Sequence, residues 1–157
     1  SIYLHFADKN EMLFAVCERH FDELDRVTQA AGERAEDPLE SLFLRGRAYI
    51  RFGLDRPEHY RVLFMGKAAA LPAGFEEMRL RRMAAFDHLV EAVERCMDSG
   101  AIARRDPYLA ALGLWAAGHG LTSLLISKPT FTWPDLDVLI DHVLSVQIYG
   151  LASPPSR

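Results

Sequence analysis

Residues 108–126 read YLAALGLWAAGHGLTSLLI. Nearly every position is apolar or small, and polar cover is confined to His119, Thr122 and Ser123. Asp106-Pro107 opens the segment as a cap and first-turn proline open a helix, and the pattern runs on to about Ser127. A helix that is apolar around most of its circumference has to be covered on more than one side. In a chain of 157 residues a second copy of the same chain is the economical source of that cover, and two-fold pairing is its commonest form. The plainer alternative is the central helix of a single bundle. Ala116, Ala117, Gly118 and Gly120 would let a neighbouring helix approach closely, each interior glycine costing about 1 kcal/mol against alanine.

Working outward, a connector at 128–134 leads to a last helix ending near Gly150, in which Leu136, Leu139, Ile140, Val143, Val146 and Tyr149 form one broad apolar face. Leu144, Ile148 and Leu151 extend beyond what one intrachain contact needs. A homodimer through the helices at about 107–127 and 134–150 is therefore expected. Upstream, three- and four-residue spacing predicts helices from Asp8 to about Gly32, from Pro38 to Asp55, a short piece from Pro57 to about Met65, and a long one from Phe75 to Met97 closed by Ser99-Gly100. Asp8 with Glu11 has the form of a capping box. No stretch alternates with β-branched enrichment over a strand's length, so the class is all-α, a bundle of about six helices.

The formal charge is -4, with 18 basic against 22 acidic side chains. That leaves no global basic field for nucleic acid. Cys17 and Cys96 lie in apolar helical patterns without metal spacing and read as reduced core thiols of a cytoplasmic protein. No apolar run reaches the roughly 18 residues of a membrane span, and no membrane partner is expected. The six histidines form no metal-binding or catalytic spacing, and the helical glycines follow no strand. The sequence therefore calls for no catalytic residue, no metal ligand, no cofactor and no enzymatic activity.

The opening SIYLHFADKNEMLFAV resembles the end of the DNA-binding region in the TetR family of bacterial transcriptional regulators. In that family a recognition helix finishes on a Tyr-x-His-Phe turn and a Lys-containing turn starts the next helix. Tyr3, His5, Phe6, Lys9, Leu13 and Val16 match that pattern, while Asn10 and Met12 depart from it. The match covers about a tenth of the chain, and Trp115-x-x-x-His119-Gly120 resembles a signature in one branch of the family's C-terminal domains. The resemblance implies that residues 1–7 are a remnant of a helix-turn-helix head, 8–150 a ligand-binding and dimerisation domain, and 151–157 a tail. It further implies that Tyr3, His5 and Lys9 touch DNA phosphates in the intact parent. Each is chemically able to, although Lys9 also fits an ordinary solvated lysine, Tyr3 a packed residue and His5 an idle surface one. With the base-reading residues absent, the 157-residue chain is not expected to bind an operator specifically by itself.

The function implied is that of a ligand-responsive DNA-binding regulator, a repressor released by a small apolar or aromatic effector. Tyr49, Phe52, Phe64, Met65, Met78, Met83, Phe86, Trp115 and His119 are candidates to surround an apolar cavity. Of these Trp115, His119, Phe86, Met83 and Tyr49 are the candidate ligand contacts. His119 fits three roles: a satisfied core histidine, a residue at the two-fold interface, or the polar handle of the cavity. The competing class is a helical structural or protein-interaction module with a fully packed interior.

Overall fold

The computed structural model describes residues 9–65 and 76–152, with the backbone alone at 9–11, 14 and 76–82. Among the described residues six α-helices follow one another: α1 Lys9–Gly32, α2 Pro38–Asp55, α3 Pro57–Tyr60, α4 Glu76–Asp98, α5 Pro107–Ser127 and α6 Leu136–Leu151. A π-helical turn, Arg61–Met65, continues α3. The chain path explains the starts. Asp37 accepts from the Glu40 amide (2.8 Å) ahead of Pro38, Asp106 from Tyr108 N (2.9 Å) and Leu109 N (3.2 Å) ahead of Pro107, and Asp135 from Val138 N (3.1 Å). Each aspartate thus satisfies amides that a helix start leaves unpaired. Gly100, at φ +80°, closes α4 in a conformation that side chains with a Cβ disfavour. The expected capping box at Asp8 lies outside the described residues, as do Tyr3, His5 and the tail from 153.

The central element is α2, which packs against each of the other five helices. Two glycines explain how so many neighbours reach it. A Cβ on Gly46 would stand 2.6 Å from a Leu144 methyl of α6, and one on Gly53 would stand 2.4 Å from the Thr122 methyl of α5 and 2.8 Å from the Tyr60 ring. α6 is further tied to α2 by the ion pairs Arg47–Asp141 and Arg51–Asp137.

α5 is packed on α2, α4 and α6 and still leaves an apolar flank in the open. Leu109 is 64% exposed, Leu124 is exposed, and nothing lies within 4 Å of where a Cβ on Gly113 or Gly120 would stand. Gly118 instead faces the Tyr49 ring inside the domain. On α6 the buried intrachain contact is made by Ile140 of the expected face together with Leu144 and Ile148, which were expected to lie beyond it, with Leu139, Val143 and Leu151 partly buried against the same core, while Val138, Val146 and Tyr149 point outward. α5 is also long and apolar enough to cross a membrane by length and composition. His119, Thr122 and Ser123 break its apolar run without bringing the segment's mean hydropathy below that of a membrane span.

Burial divides into two clusters. Leu42 and Ile50 of α2, Val93 and Cys96 of α4, Ala111 and Leu121 of α5, and Ile140 and Leu144 of α6 belong to the larger one. Cys17, Phe21 and Leu24 of α1 meet Phe52 and Leu63 in the smaller. Tyr49 packs against both.

Candidate functional site

Between the two clusters lies a cavity of about 350 Å³. α1 supplies Phe21 and Leu24, α2 Leu42 and Tyr49, the π-turn Phe64, α4 Met83 and Phe86, α5 Leu112 and Trp115, and α6 Leu144 and Ile148. The aromatic walls are mutually supported: Phe86 meets Trp115 edge-on at 6.0 Å and Tyr108 at 5.3 Å, and Phe64 meets Trp115 at 6.3 Å. Such edge-to-face pairs place ring edges on ring faces, which their quadrupoles favour.

Polar groups are few and come in two sets. Toward α1 and α4, His88 Nδ1 lies 2.8 Å from Asp25 Oδ1, and Arg45 gives a hydrogen bond to Gln29. Burial, and after it the nearby Arg95, lower the Arg45 pKa from the usual arginine value. Toward α5, a chain of hydrogen bonds leaves the wall: Trp115 Nε1 donates to the Tyr49 hydroxyl (3.0 Å), the Tyr49 and Tyr60 hydroxyls are hydrogen-bonded to each other (2.8 Å), and the Tyr60 hydroxyl to His119 Nδ1 (2.7 Å). His119 Nε2 lies 3.2 Å from the Ser123 hydroxyl. Burial pushes the Tyr49 hydroxyl up to about 12 and the Tyr60 hydroxyl well above the ordinary tyrosine range, so both stay protonated near neutrality. Burial also lowers the His119 pKa, keeping the ring neutral.

Of the candidate ligand contacts, Tyr49, Met83, Phe86 and Trp115 are brought together on the cavity wall, and His119 is not on it. His119 stands behind Tyr60, whose ring stacks on it at 5.7 Å. Phe64 also lines the cavity, whereas Phe52 is buried in the smaller core and Met65 is exposed. The Met78 side chain and the DNA-contact candidates Tyr3 and His5 lie outside the described residues, and Lys9 is described only as the first residue of α1. Asp25, Arg45, Tyr60, His88 and Tyr108 were not singled out from sequence. Arg45 carried a signal, because it interrupts an apolar face between Leu42 and Tyr49. Asp25 and His88 carried none, being 63 positions apart.

No group of three or more His, Cys, Asp or Glu side chains able to hold a metal occurs among the described residues. Cys17 and Cys96 are buried, reduced thiols, and burial pushes the Cys96 thiol up to about 11, away from the reactive thiolate.

Comparison with solved structures finds the same fold elsewhere. A protein of unknown function from Rhodococcus sp. RHA1 superposes with a TM-score of 0.85 at 25% identity, covering 95% of this chain and 76% of that one. A TetR family transcription regulator from Marinobacter aquaeolei VT8 gives 0.76 at 21% identity, covering 97% and 77%. A bacterial regulatory protein in the tetR family from Rhodococcus RHA1 gives 0.82 at 17% identity, covering 98% and 79%. No curated protein matches. Residues 42–146 match the family described as "Tetracyclin repressor-like, C-terminal domain". The match takes in most of α2, α3, the π-turn, α4, α5 and most of α6, which include the elements that build the larger core and most of the cavity wall. The chain belongs to the tetracyclin repressor-like C-terminal domain family, a regulatory and non-enzymatic family of helical ligand-binding and dimerisation domains.

Proposed function

We propose that this domain is the sensing part of a cytoplasmic transcriptional repressor, and that a small apolar or aromatic effector entering the cavity releases the operator. The observation that carries this reading is the chamber itself, about 350 Å³ with mainly apolar walls, a size and character suited to a small molecule. A fully packed interior would have favoured the structural-module alternative. The wall draws on α1, the helix nearest the family's DNA-binding head, through Phe21, Leu24 and Asp25. An effector preferring one placement of α1 lowers operator affinity, and the operator lowers effector affinity by the same factor.

Two copies pair, in this reading, through the outward flanks of α5 and α6, where Leu109, Leu124, Val138, Val146 and Tyr149 are exposed. Pairing would bury these flanks and set two heads in successive major grooves. Tyr3, His5 and Lys9 are proposed as phosphate contacts of that intact regulator. The test is a titration with the fluorescent probe 1-aminoanthracene. Saturable binding at one site per chain is expected, weakened at least tenfold by the cavity-filling Leu112→Trp with circular dichroism unchanged. A wild-type protein that binds no such probe would instead favour the structural module.

A further inference from the structure

The hydrogen-bond chain running from Trp115 to Ser123 admits two arrangements of its protons around a neutral His119, and they present different faces to the cavity. With the imidazole proton on Nε2, every donor has an acceptor. Trp115 N–H gives to Tyr49 (3.0 Å), Tyr49 O–H to Tyr60 (2.8 Å), Tyr60 O–H to His119 Nδ1 (2.7 Å), Nε2–H to Ser123 (3.2 Å), and Ser123 O–H to the His119 carbonyl (2.7 Å). With the proton on Nδ1 the sequence reverses. The Tyr49 oxygen then accepts from both Trp115 and Tyr60, and its own O–H is left with no partner in the chain. A buried donor without an acceptor is the costlier state, so the first arrangement is the resting one. In it the Tyr49 oxygen has spent its proton on Tyr60 and keeps one lone pair free.

We propose that the cavity selects a ligand that donates a hydrogen bond to Tyr49, a hydroxyl or N–H on an apolar body. Tyr60 and His119, neither of which touches the cavity, enforce that choice as positioning residues by holding the Tyr49 proton away from it. The proposal rests on the effector-cavity reading above. Tyr49 and Trp115 line the cavity while Tyr60 and His119 do not, so a ligand meets the chain at its Tyr49–Trp115 end, where Trp115 offers only an N–H already given to Tyr49. The wall's other set of polar groups agrees in part. The Asp25 carboxylate is an acceptor, one of whose oxygens already meets His88, whereas Arg45, the charged donor there, gives a hydrogen bond to Gln29, packs against Gly32 and keeps a buried Nε–H without a partner.

The experiment compares 2-naphthol, which donates, with 2-methoxynaphthalene, which only accepts, and with naphthalene as the apolar reference. It is joined to a ¹⁵N spectrum of the histidine rings in the unliganded protein. Naphthol is expected to bind about tenfold or more tightly than the methyl ether. Tyr49→Phe should cancel the difference. Tyr60→Phe, which alters no cavity residue, frees the Tyr49 hydroxyl to donate and should also bring the two ligands within about twofold, an effect no loss of packing alone would produce. The spectrum should show a neutral His119 with its proton on Nε2. Equal binding of naphthol and its methyl ether to the wild type overturns the proposal, as does an unchanged preference in Tyr60→Phe. A His119 protonated on Nδ1, or on both nitrogens, near neutrality also overturns it, and this arm keeps the proposal falsifiable should Tyr60→Phe lose its fold. Binding of none of the three compounds overturns the effector-cavity reading and the ligand half of this one, leaving the proton arrangement to be decided by the spectrum alone.

Discussion

His20 and His119 are both held neutral by burial, His20 with the added repulsion of the His59 ring stacked on it at 3.7 Å. For a base whose pKa falls on folding, the unfolded chain takes up protons first as the solution is acidified. Stability is therefore complete above the unfolded value of about 6.5 and is lost as pH drops below it toward the folded value. The melting temperature is expected to fall between pH 7 and pH 5, and His20→Asn with His119→Gln should flatten that fall. An equally steep decline in the double variant would place the proton uptake elsewhere. Cys96, which donates to the Pro38 carbonyl (3.2 Å), is a packing residue at this scale.

The helices were legible where the chain announces them locally. Asp37-Pro38 and Asp106-Pro107 set the starts of α2 and α5, and Gly100 marks the close of α4. Asp106→Ala is accordingly expected to cost about 1 kcal/mol, read as a lowered urea midpoint with an unchanged slope, because two α5 amides lose their acceptor. What sequence did not reveal is tertiary in origin. The turn Arg61–Met65 is π rather than α, and no spacing within five residues distinguishes the two. Its Leu63 is buried in the smaller core while Phe64 reaches the cavity. The apolar excess of α5 and α6 pointed to cover on several sides without telling which side the domain covers itself. Gly46 and Gly53 decide that, by letting α6 and α5 seat on α2. The cavity's aromatic members were readable because Tyr49, Phe86 and Trp115 are large and sit on apolar faces. The Asp25–His88 pair was not, because it exists only once α1 and α4 are side by side.

At the scale of the molecule, the open flank of α5 and α6 leads to a direct expectation about assembly. Val138, 65% exposed, and Leu124 stand where the proposed partner would sit. Val138→Glu with Leu124→Arg should yield a monomer by sedimentation velocity with helical content intact, against a wild-type dimer; an unaltered dimer would move the interface off this flank. The position of the cavity between two separately packed cores has a further consequence for finding the effector. A guest molecule there acts as mortar between the α1 side and the α4–α6 side, present in the native chain and lost on melting. At a hundred times its dissociation constant such a guest adds about 2.7 kcal/mol to the unfolding free energy. A heat-denaturation screen of metabolite pools against this domain can therefore report its natural signal before any operator has been identified.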